Sequence, residues 1–358
     1  MIPYLKDQYG NPSSIHRYGR LARKAIEKAR KQIAFLINAD PSEILITSGG
    51  TESNNTALNG ITMKKPSSHI ITSSIEHDAI LEPCKKLAKN GFDVDYVSVD
   101  NFGMVDPEDI ENKITEKTSL ISIMFGNNEV GTIQPISEIA KICNSHNVLF
   151  HTDAVQAIGK IPINVKELGI DLLSISSHKL YGPKGIGALY IKNGIDIDPI
   201  ILGGGQEDGL RSGTENVASI VGFGKACEIS KNVMFEEAEK ITVLRDKLMT
   251  MIQENISKVC VNGSLKYRLP GNLNLSIPGT NNEAIIAGVP EIAISSGAAC
   301  TSSTMEASHV LLALGLSKDE AYSSLRFGIG RFNTKQEIEV AANSISRCIK
   351  KLTEINYA

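Results

Sequence analysis

The sequence predicts an α/β fold: a large domain with a mostly parallel seven-stranded sheet flanked by helices, followed by a smaller α+β domain. Short apolar runs alternate with longer segments of helical period from residue 44 to near residue 230, as in a parallel sheet covered by crossover helices. Strand and helix patterns are more mixed beyond that point. The 358 residues exceed the length of a usual single domain, which favours two domains.

Apolar runs of strand length supply the predicted sheet, at residues 43–47, 69–73, 94–99, 119–125, 148–152, 171–176 and 187–191. Helical periods at 79–89 and 136–146 lie between them, and Pro135 suits the first turn of the second helix. We place the large domain at residues 38–230. The small domain comprises residues 1–37 and 231–358, with helical patterns at 14–37, 233–256 and 335–355 and strand candidates at 258–261, 272–276, 292–295 and 324–327.

Composition excludes several classes of protein. A formal net charge of -3 argues against a nucleic-acid surface. No apolar run approaches the roughly 20 residues of a membrane-spanning helix, and no export signal follows Met1. We therefore expect a cytoplasmic protein without a membrane or direct nucleic-acid partner. The six cysteines lie far apart with no C-x-x-C pair, which disfavours disulfides and a zinc site.

Polar segments follow the predicted strands, where ligands bind in open α/β sheets. Ser-Gly-Gly-Thr-Glu-Ser-Asn-Asn at 48–55 follows the first strand and opens a helix, a place where backbone N–H groups favour a phosphate. Asp153 follows the fifth strand and can keep a pyridine nitrogen protonated, while Gln156 can bond a ring oxygen. A capped turn and a helix N-cap are the structural alternatives.

The strongest signal is Ser-Ser-His-Lys-Leu-Tyr-Gly-Pro-Lys-Gly at 176–185. Lys179 comes directly after an apolar strand in a turn rich in Gly and Pro, which suits covalent attachment of a cofactor better than a solvated charge. Ser176 and His178 beside it can add hydrogen bonds to a phosphate. Because most single lysines are structural or solvated, the prediction depends on the combination of Lys179 with the phosphate turn and Asp153.

Further candidates follow other predicted strands. His77 can stack on a cofactor ring and move protons, and Asn128 can bond a phenolic oxygen. A satisfied structural role is the alternative for each. Arg326 ends a short strand and can clamp a carboxylate with two hydrogen bonds. Arg331 competes for that role, and a surface ion pair is the alternative for both arginines.

Cys300 differs from the other cysteines in its surroundings. It lies among small and polar residues at 295–304, which supply little packing surface and suit a reactive thiol on a loop. The remaining cysteines lie in helix or strand patterns and are predicted to be small core residues. They are Cys84, Cys143, Cys227, Cys260 and Cys348.

In these motifs the chain resembles the cysteine desulfurases, a branch of the class V aminotransferases within the fold-type I pyridoxal-phosphate enzymes. The resemblance runs from Gln-Tyr-Gly-Asn-Pro at 8–12 to Gly-Arg-Phe at 330–332. It includes the phosphate turn, Ile-Glu-His at 75–77, Asn-Asn-Glu at 127–129, His-Thr-Asp at 151–153, the lysine run, Arg-Ser-Gly-Thr at 211–214 and the cysteine run.

The resemblance implies pyridoxal 5'-phosphate as the cofactor and a role for each candidate. The implied phosphate ligands are Gly50, Thr51, Ser176 and His178, with Thr214 reaching the phosphate of the partner subunit in a homodimer. The implied ring contacts are His77, Asn128, Asp153, Gln156 and the covalently attached Lys179. Arg326, with Asn128, would bind the substrate carboxylate, and Cys300 would accept sulfur; no resident metal is expected, although Cys300 can contact an iron-sulfur cluster transiently.

The implied reaction converts L-cysteine to L-alanine and passes sulfur, as a persulfide on Cys300, to an acceptor or iron-sulfur scaffold protein in an iron-sulfur cluster or thiolation pathway. The length after Cys300 matches the iron-sulfur cluster assembly type. A selenocysteine lyase or another class V transaminase is the nearest alternative, and Cys300 favours sulfur transfer. Family members usually begin with a further Asp-Asn-x-Ala-Thr-Thr strand, whereas the given chain begins shortly before the motif that starts at Gln8. We expect a shortened sequence or a missing pocket element, and an inactive cofactor-binding scaffold is the corresponding alternative.

Overall fold

The computed structural model describes residues 1–65, 67–296 and 307–356. The chain forms two compact units. The first comprises residues 1–97, 107–125 and 135–234, and the second comprises 98–106, 126–134 and 235–358. The boundary at 234 lies close to the predicted one at 230. Two short segments of the predicted large domain, 98–106 and 126–134, belong instead to the second unit.

The strands of the first unit are β1 (Ile44–Thr47), β2 (His69–Ser73), β3 (Asp93–Val97), β4 (Thr118–Ser122), β5 (Leu149–Asp153), β6 (Leu172–Ser176) and β7 (Gly187–Ile191). They form a seven-stranded sheet in the order β1-β7-β6-β5-β4-β2-β3. β7 pairs antiparallel with β1 and β6, and the other neighbours pair in parallel. β2, β4 and β6 are buried along their whole length, as in a sheet with both faces covered. The predicted mostly parallel α/β fold is confirmed.

The helices of the first unit are α1 (Ile2–Lys6), α2 (Arg17–Ile37), α3 (Gly50–Thr62), α4 (Asp78–Lys89), α5 (Pro107–Glu111), α6 (Ile136–Ser145) and α7 (Val165–Leu168). A longer helix, α8 (Val217–Asn255), begins in this unit, well before the predicted start at 233. This part of α8 contains Gly222 and Gly224, and glycine lowers helix propensity. A Cβ at Gly224 would lie 2.6 Å from Cα of Ala29, so this glycine permits close packing of α8 on α2.

The predicted placement of residues 1–37 differs from the structure, because α2 belongs to the first unit. The guanidinium of Arg30 donates hydrogen bonds of 2.9 and 2.7 Å to the carboxylate of Glu207, and it also donates to the carbonyl of Ile44. The apolar face of α2, which includes Ala22, Ile26 and Ile33, is fully buried. Burial of this face and the buried ion pair attach the helix to the large sheet.

The second unit contains an antiparallel four-stranded sheet and short helices, an α+β arrangement. Its strands are β8 (Cys260–Val261), β9 (Asn272–Ser276), β10 (Ser295–Ser296) and β11 (Ser324–Gly328), in the order β10-β11-β9-β8. Its helices are α9 (Asn282–Gly288), α10 (His309–Ala313), α11 (Lys318–Tyr322) and α12 (Lys335–Asn356), together with the rest of α8. No helix in the described part of the chain is long and apolar enough to cross a membrane.

Candidate active site

Gly187, the first residue of β7, connects two parts of the candidate site. It pairs with Thr47 at the end of β1 and with Ser176 at the end of β6. A Cβ at Gly187 would lie 2.7 Å from Cα of Gly49, so only a glycine lets the turn after β1 approach this closely. The turn that precedes α3 and the turn that contains Lys179 are therefore adjacent at one edge of the sheet.

The turn after β1 offers backbone donors to an anion. α3 begins at Gly50, and a Cβ at Gly50 would lie 2.7 Å from Cγ2 of Val155. The first N–H groups of a helix have no carbonyl partner within it, and the helix dipole favours negative charge there. Across from them, the hydroxyl of Ser176 and Nδ1 of His178 lie 2.9 Å apart. This donor set suits a phosphate group.

Lys179 and His178 lie in a 3-10 turn at Ser177–Leu180, directly after β6. Burial, and then the positive charge of Lys179, lower the pKa of His178 below its ordinary value. The imidazole is therefore neutral near pH 7 and can both accept and donate a hydrogen bond. Lys179 itself is partly buried.

Thr214 is exposed, and its segment is attached to the phosphate turn. Nε of Arg211 donates a 2.9 Å hydrogen bond to Glu52 in the first turn of α3. Burial would raise the pKa of Glu52, but the bonds from Arg211 and Ser48 lower it below its ordinary value. The Arg211–Glu52 pair therefore links the segment before Thr214 to the N-terminus of α3.

Asp153, the last residue of β5, presents a buried carboxylate at the same sheet edge. It accepts hydrogen bonds from the side-chain amide of Asn54, at 2.6 Å, and from the N–H of Val155, at 2.9 Å. Burial raises the pKa of Asp153, whereas these bonds and the charges of His77 and Lys179 oppose the rise. His77 and Lys179 are thus near enough to Asp153 for their charges to act on its carboxylate.

His77 caps the N-terminus of α4, and its Nδ1 accepts a 3.0 Å hydrogen bond from the N–H of Ala79. Because Nδ1 is an acceptor, the neutral ring carries its proton on Nε2. Glu76 beside it is fully buried. Its carboxyl accepts hydrogen bonds from the hydroxyl of Ser73, at 2.6 Å, and the N–H of Met124, at 2.8 Å.

Sequence reasoning missed three residues of this region, Asn54, Glu76 and Lys160. Burial raises the pKa of Glu76 to about 8, so it holds a proton at neutral pH. The ammonium of Lys160 donates a 3.1 Å hydrogen bond to Oε1 of Gln156. Asn54 lies one turn after Gly50, and Glu76 lies directly before His77. Both residues are within motifs recognised in the sequence, so their positions could have identified them.

Two predicted substrate ligands lie together within the second unit. Nε of Arg326 donates to the hydroxyl of Ser295 at 3.2 Å, and its NH1 group donates to the backbone carbonyl of Asn128 at 3.4 Å. Arg331, the competing residue, instead forms an ion pair with Glu237 through Nε and through a 3.0 Å bond from its NH2 group. Arg326 therefore remains the better candidate for the carboxylate.

The cysteines differ in burial. Cys300 lies outside the described residues. Cys84, Cys143 and Cys227 are buried, as predicted, and burial raises the pKa of the first two to about 12. Cys348 is half-buried. The prediction that Cys260 is a core residue is wrong, because it is exposed in β8, the edge strand of the smaller sheet.

Comparisons with known proteins identify the family of this chain. The family described as aminotransferase class-V matches residues 1–340. "Cysteine desulfurase IscS" of Dictyoglomus turgidum is 49% identical over 99% of this chain and 91% of its own length. A solved NifS-like protein superposes with a TM-score of 0.91 at 39% identity, covering 98% of this chain and 94% of that chain. SspA, solved in complex with cysteine, gives 0.83 at 38% identity, covering 93% and 94%. The chain therefore belongs to the class V aminotransferases and, within them, to the cysteine desulfurases.

Proposed function

We propose that this protein is a pyridoxal-phosphate-dependent cysteine desulfurase, which converts L-cysteine to L-alanine and transfers the sulfur as a persulfide on Cys300. The observation that supports this most is the pairing of Gly187 with both Thr47 and Ser176. This pairing places the N-terminus of α3, which offers N–H donors to an anion, next to the turn of Lys179. The solved relative SspA, in complex with cysteine, supports the choice of substrate.

The residues of the first unit fit the proposed cofactor. Gly50 and Gly187 permit close packing at this edge of the sheet, because a Cβ at either position would collide with Val155 or Gly49. The phosphate would be held by Gly50, Thr51, Ser176 and His178, and the ring by His77, Asp153, Gln156 and Lys179, with Asn128 of the second unit as a further proposed ring contact. When bound, pyridoxal phosphate withdraws the electron pair that is left at a substrate Cα after proton removal. A buried carboxylate such as Asp153 is stabilised by a ring N–H⁺ placed against it, which offsets the cost of burial.

The side chains then supply binding and proton transfer. The amine of Lys179 takes the proton from Cα of the substrate. Asn54 holds the Asp153 carboxylate in place through its amide. His77 keeps its Nδ1 bonded to the N–H of Ala79, so the proton that it can donate is on Nε2. Arg326 binds the substrate carboxylate through its guanidinium.

Sulfur transfer is a balanced substitution at sulfur. The thiolate of Cys300 attacks the sulfur of the substrate, an S–S bond forms and the C–S bond breaks. The electron pair of the C–S bond remains on the carbon, which takes up one proton to become the methyl group of alanine, and Cα regains the proton that Lys179 removed. The transferred sulfur is oxidised as this carbon is reduced, so no external oxidant or reductant is needed. An acceptor or iron-sulfur scaffold protein then removes the sulfur.

A homodimer is part of this proposal. Thr214 is exposed and would reach the phosphate on the partner subunit. The N-terminal segment exposes large apolar side chains, with Leu5 65%, Tyr9 77% and Ile15 90% accessible. Large apolar side chains left exposed together are typical of protein interfaces, and this supports a partner subunit at the N-terminal segment. We also propose a cytoplasmic location, since the cysteines of the described residues are free thiols.

Alanine formation from L-cysteine tests the function. The native protein with pyridoxal phosphate and a reductant should release alanine, and Cys300→Ala should release almost none while it still binds the cofactor. Cys260→Ala is the matched control, because Cys260 is exposed but lies in the edge strand β8. Equal alanine release by Cys300→Ala and the native protein would exclude Cys300 as the acceptor. No alanine from the native protein would reject the desulfurase itself.

A further inference from the structure

Glu52 places a carboxylate beside the proposed phosphate ligands. It lies in the first turn of α3, directly after Thr51, and its side chain is only 10% accessible. Its Oε2 accepts a 2.9 Å hydrogen bond from the N–H of Ser48. Burial would raise the pKa of Glu52, but the bonds from Arg211 and Ser48 lower it, so the group is a carboxylate at neutral pH. The end of α3 that is proposed to hold a phosphate therefore already holds one negative charge.

A second anion at this helix end requires compensation. The proposed phosphate ligands are backbone N–H groups, the hydroxyls of Thr51 and Ser176, and the neutral imidazole of His178, and none of them carries a formal positive charge. The N-terminus of a helix supplies only about half an elementary charge. An unpaired Glu52 carboxylate would offset that potential and repel a phosphate group, which carries about 1.5–2 negative charges near pH 7.

Arg211 supplies the compensating charge in a fixed geometry. Its Nε donates to Oε1 of Glu52 at 2.9 Å, and its NH2 group donates to Oε2 at 3.3 Å. Two parallel bonds of this kind make the strong form of an arginine–carboxylate pair. The main chain of Arg211 forms a β-bridge with Ile201, and the N–H of Ser212 donates a 3.1 Å hydrogen bond to the carbonyl of Ile201. Both the side chain and the main chain of Arg211 are therefore held against the turn that precedes α3.

We propose that Arg211 is a positioning residue that sets the affinity of the site for the phosphate of its cofactor: its guanidinium neutralises the Glu52 carboxylate, and the N-terminus of α3 remains available to the phosphate. Arg211 acts through Glu52 and does not need to touch the cofactor. The inference rests on the proposed function, in which this helix end holds the phosphate of pyridoxal phosphate. Lys160 and Lys184, whose charges act on His178, are unchanged in every variant below.

The test compares two aldehydes that differ by the phosphate. Cofactor-free protein is titrated with pyridoxal phosphate and with 5-deoxypyridoxal, which has the same ring and aldehyde, and each dissociation constant is measured by visible absorbance. Arg211→Gln should weaken binding of pyridoxal phosphate about tenfold, because it leaves one negative charge near the phosphate. Binding of 5-deoxypyridoxal should not change. Equal weakening of both aldehydes, or of neither, would overturn the inference.

Glu52→Gln gives the decisive result, because a charge effect and a structural effect have opposite signs in it. Glutamine keeps an acceptor for the N–H of Ser48 and removes the negative charge, so pyridoxal phosphate should bind about fivefold more tightly. The double variant Arg211→Gln with Glu52→Gln should have nearly native affinity. If the pair only held the segment before Thr214, both single variants would bind pyridoxal phosphate more weakly. Weaker binding in Glu52→Gln therefore overturns the inference, even where Arg211→Gln fails to fold.

Two further variants control for charge. Arg211→Lys keeps a cation beside Glu52 and should retain most of the native affinity for pyridoxal phosphate. Lys166→Gln removes one exposed positive charge that pairs with Asp40, before β1 rather than after it, and both affinities should stay native. A loss of phosphate affinity in Lys166→Gln as large as that in Arg211→Gln would mean that net charge alone matters, which would also overturn the role of Arg211.

Borohydride reduction followed by peptide mass mapping separates this inference from the function beneath it. Label on Lys179 in the native chain, with the same ratio of the two dissociation constants in all variants, would overturn only the role of Arg211. Absence of label on Lys179 in the native chain would overturn the proposed cofactor chemistry, and the inference about Arg211 with it.

Discussion

The side-chain amide of Asn54 donates a 2.6 Å hydrogen bond to the carboxylate of Asp153 and thereby joins α3 to the end of β5. The carbonyl oxygen of the same amide is buried and has no hydrogen-bond partner among the described residues. An unsatisfied buried acceptor costs about 1–3 kcal/mol. Asn54 therefore serves the carboxylate rather than the local stability of its helix.

We expect Asn54→Leu to weaken cofactor binding by about tenfold, because a hydrogen bond to a charged group contributes about 1.5 kcal/mol or more. The dissociation constant for pyridoxal phosphate, measured by absorbance titration, checks this. Asn55→Ala is the matched control, since Asn55 is half-buried and its amide donates to the carbonyl of Thr51 rather than to Asp153. Unchanged affinity in Asn54→Leu would show that Asp153 needs no support from α3.

Substitutions of His77 can separate its capping role from its chemistry. Asn can accept the hydrogen bond from the N–H of Ala79, so His77→Asn should retain native stability, whereas His77→Ala should lose about 1 kcal/mol. Both variants lack the proton on Nε2 and should form alanine about a hundredfold more slowly. Urea unfolding and alanine formation provide the measurements. Native activity in His77→Asn would show that His77 acts only as a helix cap.

Glu76 should give the stability of the protein a distinctive pH dependence. Its pKa is raised by burial from 4.5 to about 8, so in this window the folded chain holds a proton that the unfolded chain releases. Stability is therefore lost as pH rises through the window, by about 1.4 kcal/mol per unit. Glu76→Gln is neutral throughout and should not show this slope.

The stabilities of the native chain and Glu76→Gln should be compared above pH 6.5, where the titration of His151 does not contribute. Burial lowers the pKa of His151 from 6.5 to about 3, which produces a slope of opposite sign at lower pH. Unfolding free energies of the native chain and Glu76→Gln should diverge between pH 6.5 and 8. Parallel profiles would mean that Glu76 is ionised in the folded protein.

Arg326→Lys should raise KM for L-cysteine about tenfold or more, because an ammonium cannot reproduce the two parallel hydrogen bonds of a guanidinium. Affinity for pyridoxal phosphate should not change. Steady-state kinetics against cysteine concentration make the measurement. Arg331→Lys is the control, since Arg331 already pairs with Glu237. A larger rise in KM for Arg331→Lys would reverse the assignment.

Local patterns in the sequence predicted the fold class and most of the chemistry. Buried strands read as apolar runs, and β1, β2, β5, β6 and β7 lie within one or two residues of their predicted positions. Errors arose where long-range packing outweighs local preference. The predicted start of α8 at 233 is wrong, because the helix begins at Val217, where close packing on α2 explains Gly224.

The sequence by itself determined the candidate residues, since Lys179, Asp153, Ser176 and His178 each follow a strand in a recognisable motif. Only the tertiary structure decided how they are held: Gly187 brings two turns together, Asn54 supports Asp153 across 99 positions of sequence, and Lys160 donates a hydrogen bond to Gln156. Such contacts depend on distances and burial between segments that are far apart in the chain. The sequence shows which side chains are present, whereas the fold determines which groups surround them and hence their protonation state.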